Sequence, residues 1–319
     1  MPDLPASIPA EVATLAPLAE RVVELANLAV SPHTRRAYQR AWRTFEAWTA
    51  ARGLQALPAA PSTLALYLAD RAEAVSVRAM EQELAAIVAA HRLAGHPSPT
   101  EDAAVRVVWR GVRRKYGTPA RGRAPLSVVD LARMVQGLGD GPSAVRDRAI
   151  LLLGFAGALR RSELVALDVA DLTPTTEGYA LLIRRSKSDA DGAGQRIGIP
   201  NGRRTETCPV RAVQAWLALA DIEGGPIFRP VDRHGRIGAG RLGDRAVAEV
   251  VKRAAIRAGL DADLLGGHSL RAGLATEAVR AGLSERAIMA QTRHKSVVTF
   301  RGYVRQGSLF LENPAAALL

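Results

Sequence analysis

The chain has 319 residues, enough for two domains with separate hydrophobic cores. An apolar content of 48%, a net charge of +12 and a pI near 10.8 describe a globular chain drawn to polyanions such as nucleic acid. The single Cys208 excludes an intramolecular disulfide and a Cys-rich zinc site, and no apolar run reaches membrane-spanning length. With no signal-peptide layout at the start, a cytoplasmic protein without a membrane partner is expected.

Residues 1–30 are rich in Ala and Pro and are expected to form a flexible leader. A first helix starts at Ser31-Pro32, with Tyr38, Trp42, Phe45 and Trp48 on one face and Arg36, Arg40 and Arg43 on another. Pro61 and Ser62 open a second helix, and a third runs from about Ser76 to Leu93 with Met80, Leu84, Ile87 and Val88 inward. Ser98 and Glu101 resemble a capping box for a fourth, whose apolar Val105, Val108, Trp109 and Val112 oppose Arg106, Arg110, Arg113, Arg114 and Lys115. One basic helix face is ordinarily just solvated. Two such faces in a chain at +12 read as a helical bundle over 31–117 that contacts nucleic acid.

The stretch GTPARGRAP is small, basic and flanked by Pro, which marks 118–125 as a linker. Beyond it, Ser127 and Asp130 start a helix, and ILLLGFAGAL lies in a strongly apolar one ending near Ala158. Residues 178–186 and 195–200 read as two strands around a polar hairpin loop, KSDADGAG. A helix from Cys208-Pro209 to about Ala220 and an amphipathic one from Asp244 to Ala258 follow. The fold class is therefore mainly α (α+β), a helical N-terminal domain plus a larger helical domain with one small antiparallel sheet. Gly238, Gly240 and Gly243 match a dinucleotide-binding spacing, but without repeated strand–helix–strand context they read as a loop, with Arg236 and Arg241 near the nucleic acid.

The chemistry concentrates between Gly266 and Arg305. In GGHSLRAG, Ser269 is a good helix N-cap, so His268 is expected just outside the helix and Arg271 in its first turn. A helix N-terminus carrying His and Arg is a ready anion site. His294 follows, then Tyr303 on a short helix whose other face is Val297, Val298 and Phe300. Upstream, Arg160 follows the apolar helix with Glu163 three residues on, spaced to aim its guanidinium. Lys187 sits at the hairpin tip, from where a Lys can reach into a groove. Singly, each of these has a bland explanation: an intrahelical ion pair, a solvated turn, a rim tyrosine.

Taken in order, Arg-x-x-Glu, a hairpin Lys, His-x-x-Arg, and a His nine residues before a Tyr resemble the tyrosine recombinase (phage integrase) family. HRLAGHPSPT and GGHSLRAG look like the Cre-type members, and the resemblance covers about 31–310. It implies a core-binding domain over 31–117 and a catalytic domain over 126–306, both gripping double-stranded DNA at a specific recombination site. It also implies that Tyr303 attacks a backbone phosphate to give a 3′-phosphotyrosine, with no cofactor and no metal. Arg160 and Arg271 would neutralise the phosphate oxygens, His294 would add a hydrogen bond, Lys187 would protonate the leaving 5′-oxygen and His268 would move protons near Tyr303, with Glu163 orienting the site from behind. Lys295 is a weaker rival to Lys187. Many members place small residues before the second His; here stand Thr292 and Arg293, and Arg293 adds a phosphate contact or faces solvent. The apolar tail 307–319 either folds back on its own domain or, as the resemblance favours, docks on a neighbour to build a tetramer on paired sites. A type IB topoisomerase-like nicking activity and a catalytically silent DNA binder are the alternatives. The target sequence, the accessory proteins and the biological context are not encoded in any motif.

Overall fold

The computed structural model describes residues 18, 21, 32–118, 123–184, 194–294, 296, 297, 300–303 and 315. The leader expected over 1–30 thus lies outside the described residues except for Leu18 and Arg21, and the tail over 307–319 except for Ala315. The chain divides into two compact units, Met1–Arg121 and Gly122–Leu319.

The first unit holds helices α1 (Pro32–Ala50), α2 (Pro61–Arg71), α3 (Val77–Leu93) and α4 (Ala103–Tyr116). Their starts are set locally: Pro61 occupies the first turn of α2, and the Ser76 hydroxyl accepts the Ala79 N–H ahead of α3. At α4 the expectation is corrected. Ser98 caps only a 3-10 turn, Pro99–Glu101, while the Asp102 carboxylate caps α4 by accepting the Ala104 and Val105 N–H groups at 2.8 and 3.3 Å. A charged acceptor immediately before the apolar run meets the orphan N–H groups and the positive helix end together, so it sets the start. The faces expected from periodicity meet in a core of Trp42, Phe45, Leu64, Tyr67, Leu68, Met80, Ile87, Val105 and Val112.

The second unit contains α5 (Val128–Gln136), α6 (Pro142–Ala156), α7 (Arg161–Ala166), α8 (Pro209–Leu219), α9 (Asp244–Arg257), α10 (Gly267–Arg280) and α11 (Glu285–Thr292). Strands β1 (Leu172–Thr175), β2 (Gly178–Ile183) and β3 (Gln195–Pro200) form an antiparallel sheet in that order, with Leu181 opposite both Leu172 and Ile197. Period-2 alternation buries Tyr179, Leu181, Ile183, Ile197 and Ile199 on one face. That face belongs to a core with most of α6, Trp216 of α8, Val247 and Val251 of α9, and Leu270 of α10. The fold is mainly helical with one small antiparallel sheet, and β1 makes it three-stranded. Among the described residues, no helix is long and apolar enough to cross a membrane.

Candidate active site

The site is built around the turn that ends α6. Ala158 follows the helix in the left-handed region at φ 45°, and the Leu159 N–H returns to the Gly154 carbonyl. A non-glycine residue there is strained, and it persists because its surroundings hold it. The turn leaves the Gly157 and Ala158 carbonyls pointing away from the helix ladder. Two guanidinium groups take them: Arg271 Nη1 donates to the Ala158 oxygen at 2.7 Å, and Arg293 donates to Gly157 at 2.9 Å and Ala158 at 3.1 Å.

Arg160 sits next along the chain. Its backbone N–H donates to Glu163 Oε2 at 2.9 Å and its guanidinium to Oε1 at 2.5 Å. Arg293 donates to Glu163 Oε2 at 2.8 Å, so one buried carboxylate holds two arginines. Burial alone would raise the Glu163 carboxyl; the Arg160 amide, Arg293 and the Arg160 guanidinium together hold it below the ordinary carboxylate value. Arg271 is buried at 1% exposure, and burial with Arg160 and Arg293 lowers it to about 10, so it stays protonated at neutral pH. Three guanidinium groups thus face one carboxylate. Among the described residues Arg271 Nη2 is buried without a hydrogen-bond partner, a donor left for an anion.

The start of α10 corrects the sequence reading. Gly266, in extended backbone, is the N-cap, and Ser269 lies inside the helix, where its hydroxyl accepts the Gly266 N–H at 3.1 Å. His268 is therefore in the first turn rather than before it. Glycine matters here because a Cβ on Gly267 would fall 2.3 Å from Arg161 Cδ; its absence lets the Arg161 stem cross the helix start. His268 Nε2 is 2.7 Å from the Tyr303 hydroxyl. His268 opens to solvent on one side, yet crowding by protein, then Arg271, Arg160 and Arg161, push it below the ordinary histidine value. Burial raises Tyr303, an effect that Arg271 and Arg160 oppose. A neutral His268 next to a protonated phenol is an acceptor placed for the phenol's proton.

His294 completes the cluster, its ring centroid 5.3 Å from that of Tyr303. Burial and then Arg271 and Arg160 bring it down to about 4, so the ring is neutral. Its tautomer follows from Thr292, whose Oγ1 is 2.7 Å from both the Ile288 carbonyl and His294 Nδ1. A hydroxyl has one proton and a carbonyl can only accept, so Thr292 donates to Ile288 and His294 Nδ1–H donates to Thr292. The neutral ring then has Nε2 as its lone-pair side. Phe300, fully buried with Ala275 and Ile288, seats the piece of helix that carries Tyr303.

The structure thus gathers Arg160, Glu163, His268, Arg271, His294 and Tyr303, which come from four separate stretches. Lys187 and its rival Lys295 lie outside the described residues. Arg293, left open by the sequence, neither faces solvent nor reaches outward; it is 4% exposed. No spacing rule signals it, because Gly157, Ala158 and Glu163, which it holds, lie 130 or more residues away in the chain. Arg241, expected near the nucleic acid, bonds the Val165 and Leu167 carbonyls and Asp168 within its own unit. In the first unit Arg36, Arg40 and Arg43 are exposed on α1, and Arg106, Arg110, Arg113, Arg114 and Lys115 on α4. Arg36 and Arg40 line a cleft with Arg71 and Gln82, while α1 packs mainly on α3 and α4 mainly on α2, so the two basic rows ride on different helix pairs. Among the described residues, no group of three or more His, Cys, Asp or Glu comes together to hold a metal ion.

The profile of the Phage integrase family matches residues 126–308. The chain is 39% identical over 285 residues to the integrase/recombinase xerD homolog of Selenomonas ruminantium, covering 88% of this chain and 84% of that one. With the recombinase cre of Escherichia phage P1 it shares 26% over 298 residues, 87% of this chain and 85% of that one. Among solved structures, a lambda integrase tetramer bound to a Holliday junction matches with a TM-score of 0.61 at 16% identity, over 93% of this chain and 78% of that one, a likeness of fold. Sequence order, fold and relatives agree: the chain belongs to the tyrosine recombinase (phage integrase) family, the site-specific DNA recombinases.

Proposed function

We propose that this recombinase cuts and rejoins DNA through Tyr303, with Arg160 and Arg271 clamping the scissile phosphate. The observation that carries the reading is the Tyr303 hydroxyl 2.7 Å from His268 Nε2, in a site where Arg271 keeps a buried donor free among the described residues. The Tyr303 oxygen attacks phosphorus while its proton passes to His268 Nε2. The bond from phosphorus to the 5′-oxygen breaks, and that oxygen takes up a proton supplied by Lys187. The product is a 3′-phosphotyrosine and a free 5′-hydroxyl, and attack by a 5′-hydroxyl on the phosphotyrosine reverses every step. Charge that builds on the phosphate oxygens meets guanidinium groups already in place, the preorganised term that usually contributes most. Because the covalent link conserves the phosphodiester's energy, rejoining needs no nucleotide.

The relatives carry the names recombinase and integrase, which favours strand exchange over nicking alone or silent binding. Arg36, Arg40, Arg43 and the basic face of α4 would supply phosphate contacts from the unit 31–117, and the tetramer among the fold's relatives supports assembly of several protomers on paired sites. The test uses a nicked suicide duplex carrying a site selected by the protein from random DNA. Wild type should become covalently attached at Tyr303, and Tyr303→Phe should bind equally but form no adduct. An adduct mapped to any other residue overturns the reading.

A further inference from the structure

The residue before His294 is in a conformation that glycine adopts without cost, yet it is an arginine. Arg293 caps α11 at φ 58°, ψ 40°, and with Ala158 and Asp221 it is one of the left-handed non-glycine residues. Two of these, Arg293 and Ala158, are joined directly, since the Arg293 guanidinium donates to the Ala158 carbonyl. Strain of this kind survives only where neighbours over-determine it, and it tends to gather at functional sites.

What the guanidinium touches is specific. One side donates to Glu163 Oε2, and the other oxygen of that carboxylate holds Arg160. The Ala158 carbonyl that accepts from Arg293 also accepts from Arg271 Nη1. A further bond to the Gln291 carbonyl fixes the end of α11, from which His294 leaves. Arg293 therefore stands one atom group behind both phosphate-binding arginines and one peptide from His294. Its side chain is 2% exposed, as is that of Glu163, and its Nε has no partner among the described residues. Buried ion pairs gain little stability over an apolar replacement of both partners, because desolvation offsets the attraction, although removal of one partner alone is costly; their better-attested use is to fix geometry.

We propose that Arg293 is a positioning residue for strand cleavage. It locks Glu163 and the Ala158 carbonyl so that Arg160 and Arg271 meet one phosphate together, and it sets the exit of His294 from α11. It does not touch DNA. This rests on the function proposed above.

The test compares Arg293→Met, which keeps the buried volume, and Arg293→Gly, which relaxes the left-handed backbone. Both are read on the selected suicide duplex and on the same duplex with an uncharged methylphosphonate at the cleavage position. On ordinary DNA each variant should cleave about a hundredfold more slowly than wild type at saturating protein, the scale for losing a preorganised donor, with DNA affinity near wild type and a lowered melting temperature, because Glu163 and two carbonyls lose a buried partner. On the uncharged phosphate, which demands less of the arginine clamp, the defect should shrink to about threefold or less. Cleavage of ordinary DNA by either variant within about threefold of wild type overturns the proposal. So does a cleavage loss of equal size on both substrates, the mark of a merely structural role. A wild type that forms no adduct at all overturns the functional reading and this one with it, whereas wild-type adduct with unaffected variants removes only the role of Arg293.

Discussion

At the scale of single residues, the site holds its bases neutral by burying them and then by placing arginines around them. His294 lies at about 4 because its ring is buried and then because Arg271 and Arg160 repel a second positive charge. This ties the fold to pH. As pH falls, the unfolded chain protonates this histidine near its ordinary value of about 6.5, while the folded site still refuses the proton. Unfolding then takes up a proton, so His294 contributes stability that is complete above about 6.5 and is lost as pH drops toward 4. His268, also lowered, acts in the same direction, and Glu163, held below the ordinary carboxylate value, adds its own loss at more acid pH. In the DNA-free protein, urea unfolding between pH 7 and pH 4.5 should show falling stability, and His294→Gln should flatten part of that slope. An unchanged slope in the variant would mean that His294 does not titrate as this site requires. The Thr292 hydroxyl matters at the same scale: with Nδ1–H committed to it, His294 can donate to a phosphate only after gaining a proton at Nε2.

At the scale of elements, the start of α10 is where local rules yield to packing. Ser269 has the chemistry of an N-cap, but the helix starts two residues earlier at Gly267, where the missing Cβ leaves room for the Arg161 stem. Ser269 instead accepts the Gly266 N–H from inside the first turn, beside the segment 124–126. The Ala124 N–H donates to the Leu264 carbonyl and the Leu126 N–H to that of Ser269. This seam needs Gly273, where a Cβ would fall 2.2 Å from the Leu126 carbonyl oxygen and 2.9 Å from the Phe155 ring. The nearest obstacle is backbone, which cannot swing aside. Gly273→Ala is therefore expected to cost about 2 kcal/mol or more of stability, at the upper end for overpacking, although alanine is the better helix former. Denaturant unfolding checks this, and a variant as stable as wild type would show that the seam between Leu126 and α10 is loose. The sheet shows the opposite case: β2 and β3 form where the alternation of Tyr179, Leu181 and Ile183 and of Ile197 and Ile199 places them.

At the scale of the whole molecule, a single active site holds one phosphate, whereas exchange between two duplexes needs several. Of the tail 307–319 only Ala315 is among the described residues, and the link between protomers is the role that the family resemblance favours for it. Removal of the chain after Gln306 should leave binding to a single selected site largely intact while abolishing paired-site complexes and recombination. Gel mobility and light scattering on DNA can separate these. Tetrameric complexes formed by the truncated protein at wild-type concentrations would mean that the tail packs on its own protomer.

Much of this was legible in the chain because it depends on short-range rules. Helix periods, capping residues and the hairpin alternation each act within a few residues. The spacing of Arg160, Glu163, His268, Arg271, His294 and Tyr303 survives as a linear pattern, since each sits at a fixed place on its own element. Tertiary structure alone decided the rest. Whether Arg293 faced solvent or phosphate could not be read from its neighbours in sequence, because its partners are the carbonyls of a turn and a carboxylate on α7, brought to it by folding. The same holds for the direction of each pKa shift, which comes from burial and from charges on other elements, and for the start of α10, which lies two residues before the local N-cap signal where Gly267 meets the Arg161 stem. Sequence carries the identities of the reacting groups; their protonation, tautomer and support are properties of the packed interior, where low polarity makes distant segments close electrostatic neighbours.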